Sequence, residues 1–135
     1  MADLVITPAN VLTYSGAQTE SGTAGEAVTA GETLYRHTDG NLYRADCSTA
    51  AKARAVGIAL NSAAAGQPVA YAKAGGLNPG ATVAVGTIYG VTDTAGGIGP
   101  VSDRATGDYI TILGVGTTAS RIELAINRSE VATAA

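Results

Sequence analysis

Short apolar runs alternate with turn residues along most of this chain, which is the pattern of β-strands rather than of helices. The strongest run, YITILGV at residues 109–115, is followed by residues 121–126, which alternate as a hairpin partner would. Residues 48–54 form the one helical candidate, with Ser48 as its cap, and a segment this short supports at most a turn or two. Further strands are predicted at residues 33–36, 42–45, 56–60, 68–72, 82–85, 88–91 and 98–101.

An internal repeat accompanies these strands. The phrase VTAG at residues 28–31 resembles VAVG at residues 83–86, and Leu34-Tyr35 then matches Ile88-Tyr89. In the same way VGIA at residues 56–59 matches LGVG at residues 113–116, which gives a period of about 55 residues. The repeat therefore predicts an all-β fold, a small pseudo-symmetric β-barrel or compact β-sandwich built from two similar halves.

The two ends of the chain differ from the middle. Residues 1–26 contain two apolar clusters and a polar run from residue 15 to 25, which predicts an extended N-terminal arm. We expect residues 27–128 to form the β-barrel domain and residues 129–135 a flexible tail. The apolar clusters and the tyrosine that follows them are the candidate contacts to a partner or a sister subunit: Leu4, Val5, Ile6, Val11, Leu12 and Tyr14.

Composition narrows the function. The chain has 18 glycines and six tyrosines but no Phe or Trp, so its core must be built from Val, Ile, Leu and Ala. A net charge of −3 without a basic stripe argues against nucleic-acid binding. A single cysteine allows neither an intrachain disulfide nor a structural zinc site. Without a signal-peptide pattern or an apolar run of about 20 residues, we expect synthesis in the cytoplasm and no membrane contact.

The glycine-rich stretch at residues 113–119 formally fits a dinucleotide-binding turn. That chemistry needs a helix directly afterwards, and the next residues read as a strand, so a glycine-rich hairpin is the better interpretation. Lys73 lies near the end of a predicted strand, where a carrier domain would place a modified lysine. Its flanking residues do not match an attachment hairpin, and a solvated lysine is favoured.

The remaining polar residues do not form a catalytic or metal-binding pattern. His37 is the only histidine, and Cys47 and Ser48 lack the structured elbow that a nucleophile requires. The acidic residues of the second half do not have calcium-loop spacing and are typical of turns. These acidic residues are Asp93, Asp103 and Asp108. We therefore predict no catalytic, cofactor or metal site and no enzyme activity.

Several phrases resemble those of the head decoration, or capsid cement, proteins of tailed bacteriophages. In the first half they are AVTAGETLYR at residues 27–36, GNLYRAD at residues 40–46 and AVGIAL at residues 55–60. The second half contributes GTIY at residues 86–89, DTAGGI at residues 93–98, GDY at residues 107–109 and TILGV at residues 111–115. The likeness covers about residues 26–127.

This resemblance implies a structural protein on the outside of the virion capsid. Such proteins are often homotrimers that bridge major capsid protein subunits and help the shell withstand internal pressure. Two other interpretations stay open at this point. One is a head fibre or tail accessory protein that contributes to host-surface binding, and the other is a small β-barrel carrier or ligand-binding domain with its modification on Lys73.

Overall fold

A computed structural model describes residues 4–49, 51–101 and 109–132, with side chains described up to residue 127. The described chain is all-β, as predicted, and forms a curled antiparallel half-barrel sheet. A short 3-10 turn lies at Pro8–Asn10. The strands are β1 (Val11–Thr13), β2 (Gln18–Thr23), β3 (Thr33–Arg36), β4 (Leu42–Arg44), β5 (Ala55–Ala59), β6 (Pro68–Pro79), β7 (Ile88–Val91), β8 (Ile98–Pro100), β9 (Tyr109–Thr118) and β10 (Arg121–Ala132).

The strand order along the sheet is β4-β3-β5-β6-β10-β9-β7-β8, while β1 and β2 pair with β6. Strand β6 runs for 12 residues and pairs with β1, β2, β5 and β10 along its length. Its pairing with β10 joins the first half of the chain to the second, through pairs such as Ile122↔Leu77 and Ala125↔Ala74.

The predicted hairpins form because their turns carry the right residues. Gly40 adopts a φ of +87°, which an Asp-Gly turn requires, and the Asn41 amide donates to the Asp39 carboxylate at 2.8 Å. Between β5 and β6, the Asn61 carboxamide accepts a hydrogen bond from the Ala70 amide at 2.8 Å. These contacts confirm the predicted β3–β4 and β5–β6 hairpins.

Two apolar clusters lie inside the sheet. The larger one joins both halves and includes Ile58, Tyr89, Leu113 and Ile122, each at most 1% exposed. The smaller one belongs to the first half, around Leu34, Leu42, Val69 and Tyr71. Branched aliphatic residues and tyrosines thus build the core in the absence of Phe and Trp.

One local prediction was wrong, and two others are refined by the structure. Residues 82–85 are a loop and turn instead of a strand, because Gly86 with φ +82° reverses the chain there. The helical candidate is a turn, since the Ser48 amide and hydroxyl both donate to Asp46 and do not cap a helix. The strand predicted at residues 68–72 continues to Pro79.

Part of the predicted N-terminal arm, residues 1–26, lies in the sheet. Its polar run contains β2, whose residues pair with β6 from Gln18↔Ala74 to Thr23↔Pro68. Main-chain hydrogen bonds do not depend on side-chain polarity, so a polar segment can pair along a sheet as well as an apolar one. The division into residues 1–26, 27–128 and 129–135 stays a prediction.

Candidate docking surface

The N-terminal segment, defined here as residues 4–14, is tied to the body of the protein by its main chain. The Leu4 amide donates to the Ile98 carbonyl at 2.7 Å, and the Thr7 amide donates to the Gly80 carbonyl at 2.7 Å. Farther along, the Tyr14 amide donates to the Gly76 carbonyl at 2.9 Å. The segment is therefore anchored near its start, in its middle and at its end.

Its apolar side chains divide between two directions. Leu4, Ile6 and Val11 pack against the larger core cluster. Val5 is 89% exposed and Leu12 is 48% exposed. The candidate contact residues thus form an anchoring set on one side and a free pair on the other.

A close approach of two main chains lets the segment lie this near to the sheet. Gly31 has a φ of +92°, and a Cβ placed on it would lie 2.5 Å from the Ile6 Cγ2 atom. Gly80 has a φ of +77°, and a Cβ there would lie 2.5 Å from the Thr7 carbonyl oxygen. Both positions need glycine for backbone conformation and for space.

Val5 and Leu12 border one cleft of about 500 Å³. The residues that line it are uncharged, with amides and hydroxyls among small apolar groups. An uncharged, partly apolar cleft favours contact through burial of surface rather than through ion pairs. The other lining residues are Thr7, Ala9, Asn10, Asn78, Gly80, Ala81, Thr82, Ala119 and Ser120.

Tyr14 closes one end of this segment against the β9–β10 turn. Its hydroxyl donates to the Ser120 carbonyl at 3.1 Å, and the Arg121 guanidinium lies 5.0 Å from its ring centre. A cation at this distance from a tyrosine face is attracted by the ring. These contacts of Tyr14 therefore hold the end of the segment against the β9–β10 turn.

A second, charged cleft of about 780 Å³ lies beside β6. The Lys73 ammonium is 3.0 Å from the Glu20 carboxylate, and this hydrogen bond is the main cause that lowers the pKa of Glu20 below its usual value. The Tyr71 hydroxyl donates to Glu20 at 3.3 Å and accepts from Arg36 at 3.2 Å. Sequence reasoning missed this network because its members come from separate strands.

The other sequence candidates lie apart from such a site. Lys73 is in the middle of β6 and paired with Glu20, unlike a modified lysine at the tip of a hairpin. His37 is exposed beside Tyr43, with ring centres 5.2 Å apart, and its Nδ1 bonds the Thr38 hydroxyl. Cys47 is fully buried. Asp103 and Asp108 lie outside the described residues.

Within residues 4–49, 51–101 and 109–132, histidine, cysteine and acidic residues do not come together in groups of three or more that could hold a metal ion. In the same part of the chain, no helix has the length and apolar character to cross a membrane. No family model and no curated protein matches this sequence.

Proposed function

We propose that this protein is a structural virion protein that binds the outside of a tailed-phage capsid and stabilises the shell by bridging major capsid protein subunits. The observation that carries the proposal is the N-terminal segment, which is fixed by Leu4, Ile6 and Val11 while Val5 and Leu12 stay bare beside an uncharged cleft. A surface that is already ordered loses little conformational freedom on binding. The capsid as partner comes from the sequence resemblance.

The proposal includes a sheet built from two similar halves. The order of β3 to β6, β4-β3-β5-β6, repeats in β7 to β10 when the sheet is followed from its other end. The repeat is further supported by matching backbone hydrogen bonds. The Gly31 amide donates to the Ala59 carbonyl at 2.8 Å, and the Gly86 amide donates to the Gly116 carbonyl at 2.8 Å.

The strand register supports the same equivalence. In the first half Leu34 lies opposite Gly57, and in the second half Tyr89 lies opposite Gly114. Each pairing is followed at once by a register shift of the same kind. By this register Leu34 corresponds to Tyr89, one residue beyond the Ile88 that the sequence phrases suggested.

The energy of docking is modest for one copy and large for many. Full burial of a Val or Leu side chain contributes about 1.5–3 kcal/mol. Val5 has most of its surface available and Leu12 about half, so together we expect about 3 kcal/mol. Linked copies on a lattice add avidity without new contacts, which suits a protein that reinforces a shell.

Co-sedimentation with phage heads that have been stripped of decoration tests this proposal. The wild-type protein should pellet with the heads and saturate at a fixed ratio to capsid subunits. Replacing both residues by serine (Val5→Ser, Leu12→Ser) should weaken binding about 100-fold, the equivalent of about 3 kcal/mol. The matched control, Val5→Ile with Leu12→Met, keeps the apolar surface and should bind as the wild type does.

Two results would contradict the proposal. A wild-type protein that stays in the supernatant with stripped heads would remove the capsid as its partner. A serine double variant that binds as tightly as the control would move the contact away from the N-terminal segment.

A further inference from the structure

A second exposed apolar surface lies on the other half of the sheet, and we call it the β7–β9 patch. It consists of Val85, Ile88 and Val115, which are 69%, 44% and 37% exposed. Ile88 and Val115 are directly opposite each other on β7 and β9, and Val85 precedes the Gly86 turn that bonds to β9. Ile88 and Val115 therefore share one face of the sheet, and Val85 lies in the adjoining turn.

The equivalent positions in the first half are covered. The matching hydrogen bonds and register assign Val85 to Ala30, Ile88 to Thr33 and Val115 to Ile58. Those three residues are 6%, 0% and 0% exposed. The same place in the repeat is thus buried in one half and bare in the other.

Other parts of this chain supply the cover in the first half. The Gly96 carbonyl, in the turn between β7 and β8, accepts a hydrogen bond from the Thr33 amide at 3.0 Å. Ile6 of the N-terminal segment lies against Gly31, the turn glycine of this half. At Gly86, the equivalent turn glycine, a Cβ would have no atom of the described residues within 4 Å. Within residues 4–49, 51–101 and 109–132, the second half therefore lacks the corresponding cover.

We infer that the β7–β9 patch is a contact to a second copy of this chain. The elements that cover the equivalent surface are a hairpin turn and an apolar segment, and every additional copy carries both kinds of element. The β3–β4 turn of a second copy corresponds to the β7–β8 turn in the repeat, and it is exposed from Arg36 to Gly40. With a net charge of only −3, copies repel each other weakly.

This geometry is head-to-tail, because the first half of one copy would cover the second half of the next. Contacts of this type close into rings when the rotation between copies permits. The three side chains form the centre of such an interface, whose whole area must reach roughly 800 Å² on each partner to be stable. The inference does not depend on a capsid partner.

Sedimentation velocity with light scattering on the purified chain tests the inference. The wild type should form an assembly at micromolar concentration, and Val85→Asp, at an exposed turn position, should raise its dissociation constant at least about 10-fold. The control is Ala65→Asp, which adds the same charge at an exposed position of the β5–β6 loop, outside the patch and outside the N-terminal segment. The control should assemble as the wild type does.

Ile88→Thr with Val115→Thr provides a second route that keeps β-forming residues, and circular dichroism reports whether each variant is folded. A folded Val85→Asp variant that assembles like the wild type would overturn the inference, as would a wild type that is monomeric at about 100 μM. If Val85→Asp weakens assembly while the wild type does not bind stripped heads, the result would support this contact between copies and contradict only the capsid proposal.

Discussion

The turn glycines Gly31 and Gly86, which the proposed repeat treats as equivalent, offer a direct test of how the two halves of the chain differ. Gly31 and Gly86 have similar backbone conformations, with φ of +92° and +82°, and each follows the same hydrogen-bonding pattern. A Cβ on Gly31 would lie 2.5 Å from Ile6 and 3.1 Å from Val11, whereas a Cβ on Gly86 would meet no described residue within 4 Å. An alanine at either position would adopt the same unfavourable backbone conformation, but only at position 31 would its Cβ also displace a neighbouring side chain.

The shared cost is the left-handed backbone, about 1–2 kcal/mol for a residue with a Cβ. The additional cost at Gly31 is displacement of Ile6, which loses part of a burial worth about 1.5–3 kcal/mol when complete. We expect Gly31→Ala to lower the free energy of unfolding by about 2–4 kcal/mol. Gly86→Ala should lower it by about 1–2 kcal/mol.

Urea denaturation followed by far-ultraviolet circular dichroism measures both losses, on protein dilute enough that assembly does not contribute. At about 4 °C for each kcal/mol, the melting temperatures should fall by about 8–16 °C and about 4–8 °C. Displacing Ile6 also shifts Val5, so Gly31→Ala should bind stripped heads more weakly than Gly86→Ala does. Equal losses of stability in the two variants would refute the reasoning that only the first half is covered.

Three further predictions use other matched positions. Ile58→Ala should lower the free energy of unfolding in urea by about 2–5 kcal/mol because Ile58 is fully buried. Val115→Ala, at the exposed position that the proposed repeat treats as equivalent, should lower it by less than about 1 kcal/mol. Similar losses in the two variants would contradict the predicted difference in burial. Because the pKa of Glu20 is lowered, the stabilising effect of this carboxylate is complete above its usual pKa of 4.5 and is lost as the pH falls through the lowered pKa. Lys73→Met should therefore reduce the difference in the free energy of unfolding between about pH 6 and about pH 3. An unchanged difference would exclude the Lys73–Glu20 pair as its cause. Binding to stripped heads should change little between about 0.05 and about 0.5 M salt because the docking cleft is uncharged, and a steep loss with salt would indicate an ionic contact.

Local patterns in the sequence were sufficient for much of the fold. The β3–β4 and β9–β10 hairpins followed from apolar runs on either side of a short turn, and the Asp39-Gly40 turn has the geometry that these residues favour. The strong strand at residues 109–115 proved longer than predicted, because threonines continue the pairing to Thr118. The 55-residue spacing of similar phrases suggests the equivalence of Gly31 and Gly86, which stays a prediction.

Long-range pairing was not predictable in the same way. Strand β2 contains no large apolar residue, and its place beside β6 depends on main-chain hydrogen bonds. A deletion of residues 1–25 would remove both β1 and β2, which pair with β6. Such a deletion would disturb the sheet as well as the docking surface, so point variants test the docking surface better. Alternation along the sequence also could not separate buried Ile58 from exposed Val115, because burial depends on which distant parts of the chain pack over a strand.

The docking surface was predicted as a set of six residues, and the structure divides that set. Leu4, Ile6 and Val11 anchor the segment, Tyr14 bonds to the β9–β10 turn, and only Val5 and Leu12 project outward. The 3-10 turn at Pro8–Asn10 separates the two apolar clusters, so a simple alternating pattern does not run through them. The sequence showed which residues are apolar, but not which of them the body of the protein already covers.

The central claim is that Val5 lies against the capsid shell, and chemical labelling tests it most directly. Cys47 is fully buried, so Val5→Cys provides one accessible thiol, and Ala65→Cys in the exposed β5–β6 loop provides a matched control. Both thiols should react rapidly with a maleimide in the free protein. On stripped phage heads the thiol at position 5 should become protected while the thiol at position 65 continues to react; equal reactivity of position 5 on and off the heads would contradict the account.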